Sequence, residues 1–284
     1  VTPGREEYYE YILVYVDDIL CISHRAKETM LMIAKDFKFK KDEVKPPEIY
    51  LGARLEKKQL NGRSMWTMSS TDYLKAAVKN VEERLEKKGM RLRSKVEVPM
   101  PQGYHPELDE SDELEGDDIT MYQELIGILR WAVEIGRVDI LTELSLLSVY
   151  QASLREGQLE RIIDIFAFIK RKPKVTLYFD PTPARLDEKM FQGNTVEQFK
   201  EYYREAEEEL PHRMPKPQGR GVHMTAFADA SHAANKVNRR SHTGFIIFLN
   251  RAPIVWYSKR QNTVESSTYD LELVAAYIVL DLTT

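Results

Sequence analysis

Asp17 and Asp18 stand side by side between two apolar runs, Tyr11 to Val16 and Ile19 to Ile22. Each run is about as long as a strand and rich in Ile, Val, Leu and Tyr. The segment therefore predicts a β-hairpin with two carboxylates at its tip. Asp suits a tight turn, but a turn does not ask for two adjacent negative charges. A cation between them relieves their repulsion. Hard oxygen donors of this kind suit Mg²⁺, which takes one or two carboxylates together with substrate phosphates. Val16, Ile19 and Ile22 are expected in a core, which would anchor the hairpin and hold its acidic tip rigid. A solvated turn is the plainer reading of the same residues.

A second pair of acids lies near the end of the sequence. His223 to Asp229 reads as a strand ending in a carboxylate. Gly244 to Leu249 and Ile254 to Tyr257 read as two further strands around a turn near Asn250 and Pro253. Ser267 then opens a helix, its Ser-x-x-Asp spacing to Asp270 making a capping box. Leu271, Val274, Ala275, Ile278 and Leu282 form the predicted buried stripe. Glu272 falls one position off that stripe, at the margin of the packed face, where a side chain can reach the end of the first strand.

Other elements must position these residues. Arg25 to Lys35 predicts a short helix and Phe37 to Lys40 a strand. Ile49 to Leu55 predicts another strand, with Gly52 marking a close backbone approach. Thr71 to Lys88 predicts a helix capped by Ser70 or Thr71, with Tyr73, Leu74, Ala77, Val78, Val81 and Leu85 as its apolar stripe. Val98 to Asp118, rich in Pro and then in acids, reads as a linker. A long helical pattern from Ile119 carries Tyr122, Leu125, Ile126, Leu129, Ala132 and Val133. Asp139 to Leu154 and Gln158 to Lys170 predict two more helices. Between Thr182 and Gly221 an amphipathic helix with Val196, Phe199, Tyr202, Tyr203, Ala206 and Leu210 is expected, followed by a Pro/Gly-rich tail from Pro211.

Several of these words resemble one family. Tyr15-Val16-Asp17-Asp18 closely resembles the Tyr-Val-Asp-Asp box of reverse transcriptases, which implies that the pair helps hold the two metals of an in-line phosphoryl transfer. Tyr50, Leu51 and Gly52 resemble the primer-grip signature. Tyr122 to Gly127 and Gly136 to Ile140 resemble the stretch that joins polymerase to nuclease in copia-type retrotransposon polyproteins. Thr243-Gly244-Phe245 and Trp256 to Thr268 look like the copia-type ribonuclease H domain, which implies that Asp229 and Glu272 are two of its metal-binding carboxylates.

The resemblance as a whole is to part of a copia-type LTR retrotransposon polyprotein, reverse transcriptase followed by ribonuclease H. It implies an α+β fold: a partial palm with helical thumb and connection, then a truncated ribonuclease H-like three-stranded antiparallel sheet with one helix. The corresponding segments are 1–57 (palm with primer grip), 58–98 (thumb), 99–118 (linker), 119–180 (connection), 181–221 (insertion) and 222–284 (nuclease part). The family needs a further carboxylate upstream of the hairpin and more Asp ligands after Glu272, so the expectation is that this chain alone catalyses neither reaction at a useful rate. A sheet edge left open by missing nuclease strands is expected to favour association with another chain.

Composition narrows the partners. The 43% hydrophobic and 30% charged shares are ordinary for a globular protein. The single Cys21 excludes an internal disulfide, no apolar stretch approaches the roughly 20 residues of a membrane span, and six histidines show no zinc spacing. The net charge of −4 hides segregation. Basic residues crowd Arg54 to Lys95 and Lys216 to Arg260, while Glu107 to Asp118 and Asp187 to Glu209 hold much of the compensating acid. Lys75, Lys79, Arg239, Arg240, Lys259 and Arg260 are the expected nucleic-acid contacts, with a solvated helix face as the competing reading of the first stretch. The expected partners are an RNA/DNA template-primer or RNA–DNA hybrid and other polyprotein segments, with Mg²⁺ as cofactor and no membrane. The expected setting is a cytoplasmic virus-like particle, with the nucleus as a further compartment. The alternative function is a non-catalytic nucleic-acid-binding or scaffolding remnant.

Overall fold

Tight turns with left-handed residues join four of the strand pairs among the described residues, at Val16, Leu51-Gly52, Asn61-Gly62 and Asn250. The computed structural model describes residues 8–39, 44–150, 153–185 and 212–283. Among them it is α+β, with six α-helices and three small antiparallel sheets. No helix among the described residues is long and apolar enough to cross a membrane.

Contacts divide the chain into two units, residues 1–45 with 182–223 and residues 46–181 with 224–284. In the first, β1 (Tyr11–Tyr15) pairs with β2 (Asp18–Ile22) from Tyr11↔Ile22 to Tyr15↔Asp18. Helix α1 (Ala26–Ile33) follows. The expected burial of the hairpin is not found. Val16 is 88% exposed at the turn, Ile22 is exposed and Ile19 only half-buried. Alternation sends the apolar side chains of β1 to both faces of the ribbon, and among the described residues of this unit α1 is the one helix beside it, so the side chains of β1 stay exposed. Phe37 to Phe39 form no strand, and Lys40 lies outside the described residues, as does the helix expected around Val196 to Leu210.

The second unit begins with a four-stranded sheet ordered β3 (Ile49–Tyr50), β4 (Ala53–Leu60), β5 (Arg63–Ser69) and β6 (Leu177–Phe179). Asn61 and Gly62, both at positive φ, join β4 to β5. Asn-Gly is the preferred pair for such a two-residue hairpin. The expected boundary between residues 57 and 58 falls inside β4. The strand expected over Ile49 to Leu55 is instead a hairpin, turning at Leu51 (φ +53°) and Gly52 (φ +83°).

Four helices build the main core beside that sheet. Helix α2 (Thr71–Lys87) buries Leu74, Ala77, Val78, Val81 and Leu85, the expected stripe with Tyr73 half-buried. Its first turn is met by Ser69, whose Oγ accepts the Thr71 N–H at 3.3 Å, rather than by a Ser70 or Thr71 side chain. Helix α3 (Asp117–Glu134) buries all six expected apolar residues and Met121. The helix expected from Asp139 to Leu154 is shorter: α4 (Leu141–Leu147) is flanked by 3₁₀ turns. Helix α5 (Glu156–Arg171) is buried almost all round from Leu159 to Ile169, the mark of a central helix.

The expected linker is packed against this core. Leu114 is buried, its N–H donating to Leu154 O at 2.8 Å, and Gln158 Nε2 donates to Pro106 O at 3.1 Å. Composition marks a segment as irregular; it does not decide whether that segment is loose.

The last sheet is a meander of β7 (Met224–Ser231), β8 (His242–Leu249) and β9 (Ala252–Arg260), followed by α6 (Thr268–Thr283). Asn250, at φ +55°, makes the turn between β8 and β9. Pro253 is inside β9 rather than in the turn, tolerated because β9 is an edge strand with a register shift nearby.

Candidate functional site

Two places carry the acids singled out by the sequence, and each is built differently. At the first, Val16 and Asp17 form the two-residue turn and Asp18 opens β2 opposite Tyr15. Asp17 and Asp18 are both exposed. Val16 sits at φ +53°, a region where a β-branched residue is strained. The base of the hairpin is secured by a residue the sequence reading passed over. Glu10 accepts hydrogen bonds from Arg25 Nε at 2.6 Å, Ser23 Oγ at 2.9 Å and Thr29 Oγ1 at 3.2 Å. The Arg25 hydrogen bond leads the interactions that hold the Glu10 carboxyl below the usual range. A lone Glu before an apolar run gives no signal of such a role.

Tyr50, Leu51 and Gly52 occupy the β3–β4 turn. Trp131 Nε1 donates to Leu51 O at 3.1 Å, and a Cβ on Gly52 would stand 3.7 Å from that indole nitrogen. The close approach expected at Gly52 is therefore ordinary contact, and its positive φ is what favours glycine.

At the second place, strand register collects the residues. Asp229 pairs with Gly244, and Gly244 with Ser258. One step further along, Ala230, Thr243 and Lys259 share a row, and then Ser231, His242 and Arg260. Asp229, Lys259 and Arg260 thus lie at one end of the sheet. The turn from β7 to β8, which carries Arg239 and Arg240, closes that same end. Asn235 shapes it: its Oδ1 accepts the N–H groups of Val237 and Asn238 at 3.1 and 2.9 Å, and its Nδ2 donates to Tyr150 Oη at 2.9 Å. Helix α6 also starts at this end, where Ser267 Oγ accepts the Asp270 N–H at 3.1 Å and donates to its carboxylate at 2.7 Å. This is the expected cap.

The two sheet faces are not equivalent. Ala230 clusters with Leu271 and Ala275 of α6, and Phe245 and Ile247 cluster with Val279. Alternation puts Asp229 on the opposite face, shared with Phe227, whose ring meets Phe248 edge-on at 6.0 Å. On β9 that opposite face packs against the helices: Trp256 Nε1 donates to Val133 O at 3.1 Å, and Ser145 Oγ to Ser258 O at 2.6 Å. Glu272 is exposed on the flank of α6, and Leu282, expected in the stripe, is also exposed. Asp229 thus lies on the sheet face away from the helix that carries Glu272, and the outer edge of β7 between them is paired by no strand among the described residues.

His242 is another residue that the sequence reading left aside. It is buried beside Ser258, Nε2 to Oγ 2.9 Å. Burial and, after it, the Arg260 charge push its pKa down to about 4, so the ring is neutral at pH 7.

The basic residues divide into two groups. In the first stretch Arg54 pairs with Asp72, Arg84 with Glu124, Lys88 with Asp118, Arg93 with Glu160 and Asp164, and Lys79 with Glu83 at 3.8 Å. Lys57 lies 5.0 Å from the Trp66 ring centre. Much of that charge is already answered within the fold. Lys75, Arg239, Arg240, Lys259 and Arg260 make no ion pair among the described residues.

The described residues hold no group of three or more His, Cys, Asp or Glu side chains placed to grip a metal ion. Each acidic pair supplies oxygen donors of the kind Mg²⁺ takes, in the number it draws from a protein when phosphates and water complete its octahedron. The groove of about 430 Å³ lined by Met68, Glu134, Phe179 and Pro253 to Trp256 contains none of these acids. No protein-family model matches the chain, and no solved structure matches it.

Proposed function

We propose that this chain is part of a copia-type LTR retrotransposon polyprotein, with reverse-transcriptase palm, thumb and connection elements leading into a ribonuclease H-like sheet. The observation that carries the reading is the end of the last sheet. Asp229, Lys259 and Arg260 fall in the last rows of that meander, and the helix after it, which carries Glu272, starts at the same end, amid the words that resemble the family's nuclease. The Tyr-Val-Asp-Asp words add to it, because they fall on a hairpin with Asp17 in its turn and Asp18 at the start of β2, both exposed.

Bound divalent ions would activate the attacking oxygen and stabilise the leaving one in phosphoryl transfer. Asp229 and Glu272 would hold them at the nuclease end, and Asp17 and Asp18 at the polymerase end. Lys259 and Arg260 would neutralise the backbone phosphates of a hybrid. With two carboxylates at each place, the developing charge is poorly compensated, and the expected result is little primer extension and little hybrid cleavage with Mg²⁺. Robust activity in either assay would overturn that expectation.

Titration of the full chain with Mn²⁺ tests the reading itself. Asp229→Asn and Glu272→Gln should each weaken binding about tenfold, the effect of losing one charged ligand. A titration that neither substitution moves would count against it. Lys259 and Arg260, which make no ion pair among the described residues, favour one other reading, a nucleic-acid-binding remnant without chemistry. In that case Asp17→Asn with Asp18→Asn leaves duplex affinity unchanged or raises it by removing repulsion, and no Mn²⁺ site depends on Asp229.

A further inference from the structure

Gln261 follows β9 directly and is buried, with only 4% of its surface exposed. Its side-chain amide makes two hydrogen bonds to two different elements. Nε2 donates to Thr243 Oγ1 in β8 at 2.9 Å and to the Leu271 carbonyl in α6 at 3.1 Å. The backbone N–H of Gln261 donates to Ser241 O at 2.8 Å, which fixes the residue from which the amide reaches out. Its Oε1 has no partner, although it is buried.

The two acceptors are informative because of what adjoins them. Leu271 immediately precedes Glu272. Thr243 is the register partner of Ala230, which immediately follows Asp229. We infer that Gln261 is the positioning residue of the nuclease-like end: one amide ties the turn of α6 that carries Glu272 to the strand row beside Asp229, and so sets the separation of the two carboxylates. The inference rests on the metal-binding reading of those acids. Apolar packing of Leu271 and Ala275 on Ala230 holds the helix down but leaves it free to slide along small side chains. A directed hydrogen bond to one carbonyl fixes its register. A buried acceptor left unmet is costly, so simple filling of space would be served better by an apolar residue.

The test uses the full chain carrying Gln261→Met, which keeps the length and unbranched shape but cannot donate. Two measurements are made: amide hydrogen exchange across residues 271–276, and Mn²⁺ titration with Asp229→Asn as reference. We expect exchange to speed up at least tenfold in that turn while β8 keeps its protection, and the Mn²⁺ midpoint to rise at least fivefold. Thr243→Val, which removes one acceptor and leaves the Leu271 bond, should give a smaller change in the same direction. It also serves as the second variant if Gln261→Met folds poorly.

Unchanged exchange in α6 would overturn the inference. So would faster exchange with an unmoved Mn²⁺ midpoint, the result of a merely structural role. If the unsubstituted chain shows no Asp229-dependent site, the metal-binding reading fails instead; faster exchange would still uphold Gln261 as the tie between α6 and β8.

Discussion

The hairpin of β1 and β2 and the sheet of β7 to β9 both present acids near a chain reversal, yet they differ in what stands behind those acids. Val16 to Asp18 rest on two strands whose apolar side chains, Leu13 and Val14 among them, face solvent. Asp229 rests on a sheet with α6 on one face and, through Trp256 and Ser258, the helical block on the other. A metal site needs its ligands held closely, and support comes from packed neighbours rather than from the strand itself. The difference teaches that acidic spacing identifies a candidate, while the layers around it decide how firmly the candidate is held.

The largest expected contrast is in packing. Phe245 is buried, stacked on Tyr257 with ring centres 4.7 Å apart, so Phe245→Ala should cost about 3–4 kcal/mol. Leu13→Ala, at an exposed position, should cost less than about 0.5 kcal/mol. Urea unfolding of both variants checks this, and equal losses would erase the distinction between the two platforms.

Acid should expose the same contrast through His242. Its folded pKa, about 4, lies below the ordinary value near 6.5. Between those values the unfolded chain binds the proton and the folded chain does not, so stability is complete above about pH 6.5 and falls as pH drops towards 4. The loss should reach about 3 kcal/mol. His242→Gln should flatten that part of the profile, read from unfolding midpoints at pH 4 to 7. A slope that survives the substitution would assign the acid sensitivity elsewhere.

Much of this fold was legible because helix periodicity is a strong signal. The stripes of α2 and α3 were visible in full, since residues at i, i+3, i+4 and i+7 share a face whatever lies opposite. The three strands before α6 were also visible, as was the Ser267–Asp270 cap. What escaped were pairings settled by non-local contact. Asn61-Gly62 is a strong hairpin signal, but the strand expected over Ile49 to Leu55 reaches only the start of β4, and β5 is not among the expected strands. Leu51-Gly52 reads as strand in the sequence because the apolar run continues through it. The burial expected for Val16, Ile19 and Ile22 failed because hydrophobicity shows what a side chain prefers and not whether a neighbour exists to cover it. Gln261 and Glu10 could not be found at all: each acts through partners ten or more residues away, and nothing in their spacing announces it.

A third way to sharpen the comparison acts on the hairpin turn. Val16 alone of the two turn residues holds a positive φ, the pattern in which glycine is favoured at the first position. Val16→Gly should therefore stabilise the hairpin by about 1 kcal/mol. Slower amide exchange across β1 and β2 would show it. No gain would mean that the strain is relieved elsewhere in the ribbon.

The smallest effect separates the two basic stretches. Lys88 is paired with Asp118, whereas Lys259 makes no ion pair among the described residues and shares a row with Thr243, one step from Asp229. Neutralising a phosphate contact lowers the slope of log affinity against log salt by about 0.9, or about 0.7 where the contact is to a single strand. With an RNA–DNA hybrid as probe, Lys259→Ala should reduce the slope by nearly that amount. Lys88→Ala should leave it unchanged, because its ammonium already has an internal counter-charge and releases no counterion on binding. Equal effects at both positions would mean that the hybrid spreads over the helical face as well, and the end of the β7–β9 sheet would lose its claim to be the place where nucleic acid meets the acids.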